Sequence, residues 1–127
     1  MDISHLREPR DTAKFTVSEI NNYIKSLIES DYTLKSVTVC GEISNFIYHR
    51  SGHLYFTLKD ENSRLNAVMF QGNTSCLKFK PEDGMNVLVT GRISAYPQSG
   101  SYQIYVQDMK LDGIGNLYIK FINIHLN

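Results

Sequence analysis

The sequence predicts a mainly-β protein, a five-stranded closed barrel preceded by an N-terminal α-helix. Three observations carry this expectation. Five short segments of strand character succeed one another between residues 36 and 109, separated by turn residues. Two of them are interrupted by a glycine, Gly41 and Gly91, and a glycine inside a strand marks a bulge or a tight bend of the kind a barrel needs. A five-stranded open sheet would expose two edges, and closure removes them.

The 127 residues suffice for one domain with a real core. Their 42% hydrophobic content places the chain among folded proteins rather than disordered ones. Thirteen basic residues balance thirteen acidic ones, so net charge lends no support to a nucleic-acid partner and local pattern must carry any such claim. Residues 46–80 do lean basic, with Arg50, Lys59, Arg64, Lys78 and Lys80 against Asp60 and Glu61. Cys40 and Cys76 form no CxxC pair and read as two reduced, mostly buried thiols. The N-terminus lacks the basic-then-apolar pattern of a signal peptide, and no run of 18 apolar residues exists. An intracellular, cytoplasmic protein without membrane contact is expected.

Residues 1–14 are polar, carry Pro9 and read as an arm. A helix starts after Thr16, whose side chain suits an N-cap, with Glu19 three residues on to complete a capping box and Phe15 and Ile20 at the hydrophobic-staple positions. Val17, Ile20, Ile24, Leu27 and Ile28 fall on one helical face and are expected to cover an apolar surface. The helix is expected to end near Ser30. Residues 36–46 form the first strand, with Val37, Val39 and Ile43 on one face. A loop from Tyr48 to Gly52 leads into a hairpin.

That hairpin, residues 53–70, is the most informative stretch. Side chains alternate along a strand, so Leu54, Phe56 and Leu58 point to a core while His53, Tyr55, Thr57 and Lys59 point away. Beyond the polar turn at residues 60–63, Leu65, Ala67 and Met69 oppose Arg64, Asn66, Val68 and Phe70. One element thus carries a core face and a candidate binding face. Residues 71–81 fit either a short helix or a packed loop. Residues 85–96 make the fourth strand, with Val87, Val89 and Ile93 alternating with polar positions. The turn 97–100 precedes the fifth, residues 101–109, with Tyr102, Ile104 and Val106 opposite Gln103, Tyr105 and Gln107. Residues 116–127 are apolar for a terminus and compatible with a helix. The wide gap between the third and fourth strands is where an OB-fold barrel inserts its helix, and that fold holds oligonucleotides or sugars on its strand two–three face and adjoining loops.

Several motifs, in order, resemble the N-terminal domain of the exodeoxyribonuclease VII large subunit. They are Val39-Cys40-Gly41-Glu42-Ile43-Ser44-Asn45-Phe46, Ser51-Gly52-His53-Leu54-Tyr55-Phe56-Thr57-Leu58-Lys59-Asp60, Ala67-Val68-Met69-Phe70, Lys78-Phe79-Lys80-Pro81-Glu82-Asp83-Gly84-Met85, Gly91-Arg92-Ile93-Ser94 and Asp112-Gly113-Ile114-Gly115. The Gly-x-Ile and Phe-x-Leu-Lys-Asp elements alone also fit the anticodon-binding OB domains of class II tRNA synthetases. The resemblance implies an OB-fold module that binds single-stranded DNA, in an enzyme that hydrolyses single-stranded DNA to oligonucleotides together with copies of a small helical subunit. It implies residues 1–33 as arm and capping helix, 34–112 as the OB domain, and 113–127 as the truncated start of a connection to a catalytic domain absent here. The segment from Lys120 to Asn127 departs from the charged helix that the family would continue with.

Tyr55 is the prime candidate for stacking on a base, the alternative being a tyrosine covered by the helix. Phe46 and Tyr48, placed in the loop between the first two strands, are further candidate platforms, Phe46 being equally suited to plug the barrel end. Arg50, Lys59, Arg64 and Arg92 are candidate phosphate contacts, each alone also explained as a solvated charge. Asn66 is a candidate for a base edge, and His53 shares the face. His49 and His53 lack a third ligand at motif spacing, so neither metal nor cofactor is expected. Asp60 and Glu61 are explained by turn propensity. No nucleophile elbow, phosphate loop or metal triad appears, so the chain alone is expected to be catalytically inactive. The rivals to a single-stranded-DNA-binding module are a tRNA anticodon-binding-like OB domain and a protein-docking OB domain.

Overall fold

The computed structural model describes residues 12–113. Most of the N-terminal arm and the apolar tail after Gly113 lie outside the described residues. Helix α1 spans Val17–Ser30, and a single 3-10 turn spans Thr33–Lys35. Strands β1 (Val37–Tyr48), β2 (Leu54–Lys59) and β3 (Arg64–Met69) follow, then a one-turn helix α2 (Gln71–Thr74), β4 (Asn86–Tyr96) and β5 (Ser101–Leu111). The strands close into a barrel in the order β1-β2-β3-β5-β4. All pairings are antiparallel except β3 with β5, which is parallel.

The hairpin alternation sets the core. Leu54, Phe56, Leu58, Ala67 and Met69 point inward and meet Ile43, Val87, Val89, Ile104 and Val106. Leu77 and Phe79 from the segment after α2 pack against the same cluster, so that segment is a helical turn followed by a packed loop. Gly91 lies at a register shift between β4 and β5, where Gln107 is the extra residue on β5. A side chain is impossible there, because a Cβ would run into the Tyr105 carbonyl oxygen. No register shift falls at Gly41, which lies where β1 passes from pairing with β4 to pairing with β2. The irregularity of β1 lies between Ser44 and Ile47, where Asn45 takes φ 52°, a conformation Asn tolerates better than most residues.

That bulge corrects two expectations. Strand β1 runs past Phe46, the expected end of the first strand, to take in Tyr48, which was expected in the loop, and the extra residue reverses the parity of both. Phe46 turns inward, its ring 6.4 Å from that of Phe56. Tyr48 pairs with the core-facing Leu54 and so shares its side, whereas unbroken alternation from Ile43 would have turned both outward. The cysteines are corrected too: Cys40 and Cys76 are both exposed.

Helix α1 begins and ends as its sequence dictates. Thr16 Oγ1 accepts the Glu19 N–H at 3.1 Å and Glu19 Oε1 accepts the Thr16 N–H at 3.1 Å, a complete capping box. Its docking differs from expectation, because no residue of α1 is buried. Asn21 Nδ2 donates to the Pro97 carbonyl at 2.9 Å, and Ser94 Oγ donates to Glu29 Oε1 at 2.9 Å. These polar contacts turn the apolar stripe partly away from β4. Ile20 and Ile28 are half-buried, while Val17, Ile24 and Leu27 remain exposed.

Candidate nucleic-acid interface

Register places the outward residues in rows across the barrel. Tyr55 on β2 stands opposite Val68 on β3, Val68 opposite Tyr105 on β5, and Tyr105 opposite Arg92 on β4. The next row holds Thr57, Asn66, Gln103 and Ser94. Val68 is only 3% exposed although it faces outward, because it forms a floor flanked by two tyrosines.

The rings extend this row into a strip. His49 and His53 meet Tyr55 edge-on at 6.1 and 6.5 Å between centroids. His53 also meets Phe70 at 5.2 Å, and Phe70 meets Tyr105 at 5.9 Å. The Arg92 guanidinium lies over the Tyr105 ring, 4.3 Å from its centre, an arrangement that keeps a cation beside a π-face. The Gln103 Nε2 donates to the Tyr105 hydroxyl at 2.9 Å and anchors the tip of that ring.

The loop before β2 holds the strip in place. Gly52 adopts φ 91°, and its N–H donates to the His49 carbonyl at 2.8 Å. His53 Nδ1 accepts the Gln71 backbone N–H at 2.9 Å. His53 therefore ties β2 to the start of α2, and in the neutral ring the proton sits on Nε2.

The candidate residues divide accordingly. Tyr55, Asn66, Arg92 and His53 are brought together on or beside one outward face. Tyr55 is 39% exposed and clear of α1, which packs against β4. Lys59 and Arg64 pair with each other at the far end of the hairpin, four residues or about 13 Å along the strand from Tyr55 at roughly 3.3 Å per residue. They do not flank Tyr55, and Lys59 is engaged by Glu42 at 3.3 Å. Arg50 is exposed in the loop before β2. Phe46 and Tyr48 line a separate cavity of about 530 Å³ with Leu77, Phe79 and Pro81. Asp60 closes the hairpin turn: its carboxylate accepts the N–H groups of Asn62 and Ser63 at 2.9 and 2.8 Å, and these bonds hold its pKa below the ordinary value.

Sequence reasoning missed Tyr105, Phe70 and Gln103. Strand parity had set Tyr105 and Gln103 on one face of β5, but only the parallel β3–β5 pairing brings them beside Val68 and Asn66. Among the described residues no three of His, Cys, Asp and Glu come together as a metal site, and no helix is long and apolar enough to cross a membrane.

A five-stranded barrel in this strand order, with an aromatic and cationic strip on its outer face, defines an OB-fold nucleic-acid-binding domain. Residues 15–110 match the family described as OB-fold nucleic acid binding domain, and the chain belongs to it. Among curated proteins it is similar to the exodeoxyribonuclease 7 large subunits of Bacillus cytotoxicus and Bacillus mycoides. Each is 60% identical over 106 residues, 84% of this chain and 24% of the relative. The chain thus spans about a quarter of the length of these relatives. Asparaginyl-tRNA synthetase from Entamoeba histolytica matches with a TM-score of 0.55 and 20% identity, over 67% of this chain and 22% of that one. The Stn1–Ten1 complex of S. pombe matches at 0.52 and 17%, over 69% and 66%. At these identities the likeness is one of fold.

Proposed function

We propose that this chain is the single-stranded-DNA-binding module of an exodeoxyribonuclease VII large subunit. In this reading residues 34–112 bind the strand, residues 1–33 supply the arm and helix, and residues 113–127 begin the connection to a catalytic domain. The whole enzyme hydrolyses single-stranded DNA to oligonucleotides in the cytoplasm with its small subunits. The observation that carries the reading is the strip from His49 through Tyr55, His53, Phe70 and Tyr105 to Arg92. Successive π-faces suit unpaired bases, which stack on aromatic rings irrespective of sequence. A duplex offers no such faces.

The chain is electrically neutral overall, so few phosphates are neutralised and binding is weak and salt-sensitive. Fluorescence anisotropy with labelled oligothymidine, a matched RNA and a duplex across a salt series tests this. The reading requires oligothymidine to bind at least as tightly as the RNA, with affinity falling as salt rises. Preference for RNA points instead to an anticodon-type domain, and no oligonucleotide affinity at all points to protein docking. The chain has no nuclease activity of its own in this reading, so labelled single strands stay intact with or without magnesium. Shortening that tracks the purified protein contradicts it.

A further inference from the structure

The strip does not end at Arg92. Tyr105 also borders a cavity of about 490 Å³ between α1 and the outer side of the β4–β5 turn, lined by Ser18, Asn22, Lys25, Tyr96 and Gln98. That volume lies in the range of small-molecule sites, roughly 300–1,000 Å³. Its wall chemistry is that of base recognition. Two side-chain amides, Asn22 and Gln98, offer donors and acceptors together, the combination that reads base edges. Two tyrosine rings supply π-surface, and Lys25 supplies a cation. The Asn22 Nδ2 donates to the Ser18 carbonyl at 2.8 Å, which orients the amide and leaves its Oδ1 as an acceptor. The Asn21 bond to the carbonyl of Pro97, itself a lining residue, and the Ser94 bond to Glu29 tie α1 to this end of the barrel.

The geometry points to a nucleobase pocket in which α1 forms one wall: a base of the strand leaves the aromatic strip beyond Tyr105 and inserts between helix and barrel. This rests on the proposed single-strand function and extends it, because it gives the N-terminal helix a direct part in binding. Lys25 meets the flanking phosphate. Its ammonium is held only loosely by Glu29, at 3.8 Å.

The test is an abasic scan. Anisotropy is measured for oligothymidine and for the same strand carrying a single abasic site at successive positions, with the unsubstituted chain, Tyr55→Ala and the double variant Asn22→Ala/Gln98→Ala. The unsubstituted chain is expected to show an abasic penalty of roughly tenfold in Kd at a position that Tyr55→Ala leaves sensitive. In the double variant that penalty disappears, while the salt slope stays as before, because neither residue carries charge. Both residues are exposed, so matching thermal melts confirm that the fold is intact. A double variant that keeps the full penalty at every position overturns the pocket while leaving single-strand binding standing. An unsubstituted chain that binds no oligonucleotide overturns the proposed function, and the pocket with it.

Discussion

Leu58 of β2 and Leu27 of α1 each belong to the apolar stripe of an amphipathic element, yet Leu58 is 2% exposed and Leu27 is 53% exposed. The hairpin buries its stripe because closure of the barrel gives every inward side chain a facing strand. Among the described residues the helix packs mainly against β4, and it is bonded through Glu29 to Ser94 of that strand and through Asn21 to Pro97 just after it. Periodicity therefore states what an element is able to bury. Whether it does so depends on a partner that lies elsewhere in the chain.

The largest expected effect is in the hairpin core. Phe56→Ala removes a buried ring packed by Phe46 and should cost about 3–5 kcal/mol of stability, read by urea or guanidinium unfolding. DNA affinity of the fraction that remains folded should be unchanged. The neighbouring Tyr55→Ala should do the reverse. It leaves the core untouched, melts near the parent, and loses about 1–3 kcal/mol of single-strand binding if one base stacks there. Were Tyr55→Ala to unfold the domain while Phe56→Ala stayed folded, the two faces of β2 would be inverted in solution and the interface misplaced.

The same contrast explains what was legible in the sequence. Local rules sufficed where neighbours in sequence are neighbours in space: the inward set Leu54, Phe56 and Leu58, the capping box at Thr16 and Glu19, and the Asp60 turn all stand as expected, whereas Thr57 of the outward set is buried. Alternation failed at Asn45, where one extra residue reversed Phe46 and Tyr48, since nothing in the local pattern marks a bulge at an asparagine. It fell short at Tyr105 and Phe70, whose contact at 5.9 Å joins residues far apart in the chain. Cys40 was misjudged because thiols are usually buried, whereas this one occupies an outward position on β1 and is exposed.

The helix gives the smaller effects. Thr16→Ala deletes the cap that accepts the Glu19 N–H, a loss of about 1 kcal/mol. With α1 burying no residue, that loss should appear first as fraying of the helix. Amide hydrogen exchange at residues 18–20 should speed up, while protection in β2 and β3 stays at its parent level. Equal acceleration in both would mean that α1 and the barrel unfold as one unit, contrary to the loose attachment seen here.

The smallest effect sharpens the comparison most. Leu27→Ala replaces one good helix former with another and removes a side chain that is already half in water. Substitutions of exposed residues away from special features fall within about 0.5 kcal/mol, so the chain should unfold at nearly the parent denaturant midpoint. Leu58→Ala makes the same chemical change inside the barrel, where Leu/Ile/Met→Ala replacements cost about 2–5 kcal/mol. The pair thus holds chemistry constant and varies only the partner. Equilibrium unfolding of both variants at several protein concentrations gives the answer. A cost for Leu27→Ala of about 2 kcal/mol, in the range of a buried leucine, would show that the apolar stripe of α1 is covered in solution. Dependence of that cost on protein concentration would assign the cover to a second copy, and independence would assign it to the same chain.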